Sequence, residues 1–128
     1  MSRGLGDTTL FIAREADRLL DSAALPEEIG VSVITIGELR AGVLAAADVE
    51  TRDRRLATLT QALAMQPIPV DDQVAAAWAK LRLLLRDSAQ RMPVNDSWIA
   101  ATAMSLGVPV VTQDEHYVEL PGLAVIKV

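Results

Sequence analysis

The chain of 128 residues has no cysteine, one histidine, two lysines and only four aromatic residues, Phe11, Trp78, Trp98 and Tyr117. Without cysteine there is no disulfide framework, no thiolate metal site and no cysteine nucleophile. So few rings leave the core to Ala, Val, Leu and Ile, which suits helices and strands packed in layers. A basic excess is also missing, for twelve Lys and Arg against seventeen Asp and Glu give a formal charge of -5. That balance argues against nucleic acid as a partner, because such domains usually present a positive field. The objection lapses if several acids are gathered round divalent cations, which reverse the local sign of the potential. No apolar run approaches the ~20 residues that span a bilayer, and Met1 to Leu10 lacks the continuous apolar core of a signal peptide. A cytoplasmic protein with no membrane partner is the expectation. Repeats, low-complexity tracts and long linkers are absent too, and 51% hydrophobic residues suffice for one core, so residues 1–128 are expected to form one domain.

What is present reads as alternating short strands and helices. A strand at Arg3 to Gly6 leads into a helical repeat of Ile12, Ala13, Ala16, Leu19 and Leu20 that Pro26 interrupts. The β-branched run Val31, Val33, Ile34 and Ile36 forms a second strand, passing into a helix through Leu39 and Val43 to Ala47. Two amphipathic helices follow: Arg52 to Met65, with Leu56, Leu59 and Leu63 on one face, and the segment holding Val74, Trp78, Leu81 and Leu85. They are joined by Pro67-Ile68-Pro69-Val70 and suggest a hairpin. Asn95 is a suitable N-cap for a helix to Leu106, with Gly107 at its end. Val108 to Thr112 and Ala124 to Val128 read as the last strands. The order predicts an α/β fold with a central parallel sheet flanked by helices on both faces.

In such a sheet the functional crevice lies beyond the carboxyl ends of the strands, where strand order reverses. Asp7 follows the first strand, Glu38 stands in the first turn after the second, Asp96 opens a helix and Asp114 follows Val110-Val111-Thr112. Each alone is explained as a cap that accepts from a free backbone N–H and complements the helix dipole. Together they have a second explanation. Magnesium and manganese are hard cations that take carboxylate, water and phosphate oxygens, and such an ion can activate water and stabilise an in-line phosphoryl displacement.

Four segments carry a resemblance. Asp7-Thr8-Thr9-Leu10-Phe11-Ile12, Val33 to Gly42 around Glu38, Asn95 to Ala103 around Asp96, and Val111-Thr112-Gln113-Asp114-Glu115-His116-Tyr117 stand in one order across nearly the whole chain. The sequence resembles the PIN-domain superfamily, and most closely the toxin ribonucleases of bacterial VapBC toxin–antitoxin pairs. The resemblance implies a single PIN domain that is a magnesium- or manganese-dependent endoribonuclease, hydrolysing RNA by metal-activated water. It implies that Asp7, Glu38, Asp96 and Asp114 are the metal-binding and catalytic acids, with Thr112 in support. It further implies a homodimer and a cognate VapB-type antitoxin whose C-terminal segment blocks the acidic groove. Two positions depart from the pattern. Gly6 replaces an aliphatic residue before the first Asp, which should weaken that strand. His116 stands where many relatives carry another acid, so the number of metals is left open.

Other candidates have plainer readings. His116 invites assignment as a general base, yet metal-activated water makes one unnecessary, and a lone loop histidine is ordinarily a surface group. Asp71-Asp72 reads as a cap. Arg52, Arg54 and Arg55, and likewise Lys80, Arg82, Arg86 and Arg91, could follow an RNA backbone or line a solvated helix face. Trp98 reads as packing before base stacking. A phosphoacceptor receiver domain shares the architecture but needs an acidic pair after the first strand, and Gly6 precedes Asp7. A catalytically silent binding module of the same fold predicts loss of one of the four acids, and all four are present.

Overall fold

A computed structural model describes residues 1–128 as four strands and five α-helices in the order β1 (Arg3–Gly6), α1 (Thr8–Glu15), β2 (Glu28–Val31), α2 (Val33–Ala45), α3 (Val49–Leu63), α4 (Asp72–Asp87), α5 (Val94–Leu106), β3 (Val110–Thr112) and β4 (Val125–Lys127). The strands form one parallel sheet in the order β2-β1-β3-β4. The chain runs outward from β1 to β2 and then returns to place β3 on the opposite side of β1. Strand order therefore reverses between β1 and β3, and the crevice at their carboxyl ends is where ligands enter such sheets.

Side chains alternate across a strand, and the two cores follow that alternation. Leu5 and Val110 point to one face, where α4 and α5 supply Leu81, Leu85, Ile99, Ala100 and Ala103. Val31 points to the other, with Phe11, Leu39, Leu59 and Ala62 from α1, α2 and α3. Helices thus cover both faces of the parallel sheet, as the sequence predicts. The expected hairpin of the third and fourth helices does not form: α3 packs on α2, and α4 on α5.

Several boundaries differ from the sequence reading, each for a local reason. The first helix stops at Glu15, well short of Leu20, and Leu19 is 94% exposed. Asp17 takes a left-handed conformation (φ 54°), Asp17 N–H donates to Arg14 O and Arg18 N–H to Ala13 O. This is a Schellman stop without the glycine that usually announces one. The second strand ends at Val31, because Ser32 caps α2 by accepting from Ile34 N–H at 3.0 Å and so draws Val33, Ile34 and Ile36 into the helix. Glu38 therefore lies in the second turn of α2 rather than the first. The fifth helix begins two residues early, with Pro93 at the N-cap and no side-chain cap bond, so Asn95 is not its cap; Gly107 ends it in the left-handed region (φ 68°) as expected. Ile68 makes one parallel bridge to Ser32 on the edge of β2. Pro67 and Pro69 on either side of it lack the N–H groups that would extend a ladder.

Gly6 does not weaken β1. It pairs with Val31 on one side and Val111 on the other. A Cβ at Gly6 would lie 2.8 Å from Leu10 Cδ2 and 3.0 Å from Ile29 Cγ2, so glycine is what lets the first turn of α1 close over the strand end. Gly6→Val is expected to lower stability by ~1–3 kcal/mol through overpacking, read as a lower urea midpoint. An unchanged midpoint would show that α1 is free to shift.

Candidate metal centre

The carboxyl ends of β1 and β3 set the geometry. Asp7, 1% exposed, is the N-cap of α1 and accepts from Leu10 N–H at 3.2 Å. Its N-cap reading is therefore right, and its carboxylate does more than cap. Oδ1 also accepts from Thr9 Oγ1 at 2.7 Å and Oδ2 from Thr112 Oγ1 at 2.5 Å. Asp7 N–H donates to Val111 O at 3.1 Å, which continues the β1–β3 ladder one residue past the strand.

Thr112, fully buried, relays this order to the next acid. Its Oγ1 accepts from Asp114 N–H at 2.8 Å. Asp114 does not open a helix as the sequence suggested; it begins a turn in which its Oδ1 accepts from His116 N–H at 2.8 Å. Glu38 is oriented separately. Thr8 donates to Glu38 Oε1 at 2.6 Å and lies 3.1 Å from Thr35 Oγ1. Thr35 and Glu38, three apart on α2, share the helix face turned toward α1. Asp96 sits in the first turn of α5.

Asp96 reports that the four acids share one field. Burial chiefly, then Asp114, Asp7 and Glu38 in that order, push its carboxyl up to about 6, against a small opposing pull from His116. Burial also raises Asp7, opposed by its bonds to Thr112, Thr9 and Leu10. The ion pairs of the chain place no Lys or Arg on any of the four. The tightest group is Asp96, Asp114 and His116, whose donor atoms all lie within 4.8 Å of one another, while Asp7 and Glu38 stand outside that triad. Oxygen donors, excess negative charge and partial burial together suit a hard divalent cation.

Of the hydroxyls that order the acids, the sequence pointed to Thr112 alone. Thr8, Thr9 and Thr35 order Glu38 and Asp7 as well; the signal for the first two is the Asp7-Thr8-Thr9 run, and for Thr35 its place three residues before Glu38. Tyr117 was missed too. It is 3% exposed, its hydroxyl has no hydrogen-bond partner, and burial first, then Asp96, Asp7, Asp114 and Glu38, push its phenol up. The other candidates resolve plainly. Asp71 caps α4, accepting from Val74 N–H at 2.9 Å. Arg55 donates to Gly42 O at 2.7 Å and Arg52 to Ala46 O at 3.2 Å, satisfying carbonyls at the end of α2, where cations are favoured. Trp98 stacks on Trp78 with centroids 4.3 Å apart, and Arg82 lies 4.8 Å over the Trp78 ring. Trp98 thus packs the α4–α5 interface.

The PIN domain family matches residues 7–123. The chain belongs to the PIN-domain family. It is 46% identical to Ribonuclease VapC5 of Mycobacterium tuberculosis, covering 98% of this chain and 93% of that protein. It is 45% identical to Ribonuclease VapC4 of the same organism, covering 98% and 97%. Among solved structures it superposes on VapBC-5, a member of the VapBC family of toxin-antitoxin systems from Mycobacterium tuberculosis, with a TM-score of 0.91, 42% identity and 100% of both chains covered. The same fold recurs at 19% identity and a TM-score of 0.80 in VapBC2 from Rickettsia felis. The single-sheet α/β architecture read from the sequence is therefore that of the VapC ribonucleases within the PIN family, and the receiver domain and silent module are not favoured.

The pH dependence of stability follows from Asp96. Its folded pKa of about 6 lies above its unfolded value of 3.8, so between these values the folded state binds more protons. Stability of the metal-free protein should fall as pH rises from about 4 to about 6, with the contribution complete below that window and lost above it. Asp96→Asn removes the penalty and should stabilise the metal-free protein at pH 7 by ~1–3 kcal/mol. Urea melts of both proteins at several pH values check this; a wild-type midpoint that rises through the window contradicts it.

Proposed function

We propose that residues 1–128 form one PIN domain acting as a magnesium- or manganese-dependent endoribonuclease, the toxin of a toxin–antitoxin pair. The observation that carries this reading is the gathering of Asp7, Glu38, Asp96 and Asp114 into one field at the reversal of strand order. The names of relatives at 46% and 45% identity over nearly the full chain support it. In this reading Asp96 and Asp114 present carboxylate oxygens to the cation, and Asp7 and Glu38 complete the acidic wall. A divalent cation held there would supply an activated water and stabilise the oxygens of a phosphodiester undergoing hydrolysis.

The residues themselves do the positioning. Thr112 and Thr9 fix the plane of the Asp7 carboxylate, Thr112 also fixes the backbone of Asp114, and Thr8 fixes Glu38. Asp96 and Asp7, raised chiefly by burial and further by neighbouring carboxylates, Asp114 acting on both, are poised to exchange protons for a cation. No helix of the chain is long and apolar enough to cross a membrane, and we place the enzyme in the cytoplasm, where RNA is found. A VapB-type antitoxin is its partner in this reading, as the VapBC complexes among its structural relatives suggest, and the toxin acts as a homodimer.

Asp7→Asn, Glu38→Gln, Asp96→Asn and Asp114→Asn should each lower cleavage of a total-RNA substrate by at least ~100-fold with the fold retained by circular dichroism. Thr112→Val, which removes one donor to Asp7, should retain more activity than Asp7→Asn. Cleavage that persists in both Asp7→Asn and Asp96→Asn, or in chelator, would end the proposal. Sequencing the new RNA ends identifies the target.

A further inference from the structure

One nitrogen donor stands among the oxygens of the acidic crevice. His116 Nδ1 lies 2.8 Å from Asp114 Oδ1 and 3.8 Å from Asp96 Oδ2. With both carboxylates it forms the one group of His and acidic donors that falls within 4.8 Å. Bonds of ~2.1 Å around a single octahedral ion place neighbouring donors ~3 Å apart and opposite ones ~4.2 Å apart, so both separations from His116 Nδ1 fall within the span that one ion can bridge. The placement is built into the chain. His116 N–H is held by Asp114 Oδ1, and the next residue, Tyr117, is anchored in the core beside α5. The imidazole itself is 64% exposed, which leaves room for water and substrate to share the ion.

We propose that His116 is a metal-selecting residue: its Nδ1 joins Asp96 and Asp114 to make a mixed nitrogen–oxygen site that prefers first-row transition ions over magnesium. The inference rests on the acidic metal centre described under Proposed function and adds a ligand to it. Magnesium takes oxygen ligands and keeps its water, so an imidazole gains it little. Affinity for imidazole nitrogen rises from manganese through cobalt to a maximum at copper. The tautomer with its proton on Nε2 presents the Nδ1 lone pair. The simpler alternative, in which His116 only donates a hydrogen bond to Asp114, has the opposite consequence. Removing such a donor would leave all cations bound equally or more tightly.

Calorimetric titration of the full chain with magnesium, manganese and cobalt separates the two, using wild type, His116→Ala, His116→Asp and Asp96→Asn. His116 is exposed, so its variants are expected to fold. His116→Ala should weaken manganese and cobalt binding at least ~10-fold while magnesium changes by less than about threefold. His116→Asp should bind magnesium at least as well as wild type and lose the preference. Electron spin-echo spectra of the manganese-loaded wild type should show nitrogen coupling that His116→Ala abolishes. An equal effect of His116→Ala on all three ions, or no nitrogen coupling in wild type, overturns the assignment of His116. If Asp96→Asn also binds every ion as wild type does, the acidic centre beneath it falls as well; if Asp96→Asn loses binding while His116→Ala keeps wild-type selectivity, only the histidine assignment falls.

Discussion

The hydrogen bond from Thr112 Oγ1 to Asp7 Oδ2, 2.5 Å long and buried at both ends, joins two residues 105 apart in sequence. It fastens the carboxyl ends of β1 and β3, the strands between which the order of the sheet reverses. A carboxylate this deeply buried is costly unless its oxygens are satisfied, and Thr112, Thr9 and Leu10 N–H supply the donors. The same Thr112 oxygen accepts from Asp114 N–H, so the position of the second acid depends on that of the first. Asp114 in turn holds the backbone of His116. Register in the sheet, through one hydroxyl, becomes the geometry of the crevice.

The fold and the site pull in opposite directions. Leu5, Val110, Ile99 and Leu81 on one face, and Phe11, Val31 and Leu59 on the other, stabilise the sheet by ordinary apolar burial. Strands of three and four residues are short, and they hold because both faces are covered. Ala100, Ala101 and Ala103 are fully buried in α5, so that helix can lie close to β1 and β3 and carry Asp96 to the crevice. Against this the crevice holds like charges and an unpartnered phenol, Tyr117. Such local costs are tolerated where function requires them.

The acids were legible because their placement follows from strand ends, and strand ends follow from short apolar runs such as Val110-Val111-Thr112. The four motifs stood in order, and the structure brings their acids into one field. What could not be read were features set by contacts distant in sequence or by backbone conformations without a residue signature. Asp17 and Ala89 both adopt positive φ, and neither residue type signals a helix stop. Gly6 looked like a weak point in its strand, yet its worth depends on Leu10 and Ile29 meeting where its side chain would be. Arg52 and Arg55 looked like a track for phosphate until their donors were found on Ala46 and Gly42 carbonyls. Composition counts charges, whereas function depends on which ones face each other.

That distinction also bears on the conflict between an acidic chain and an RNA substrate. Setting aside four of the seventeen acidic residues as the crevice leaves thirteen against twelve basic ones, so the rest of the chain is close to neutral. The negative balance is concentrated in the crevice, and in the proposed reading a crevice loaded with a divalent cation would present positive charge to a phosphodiester at the point of reaction. Elsewhere, Arg52 and Arg55 of α3, bonded to carbonyls at the end of α2, and Arg82, over Trp78, are engaged with the protein itself. In the proposed reading, a cation held by the crevice would add to the attraction for the RNA backbone, so that binding of substrate at the point of reaction and readiness for chemistry would both follow from one occupied site.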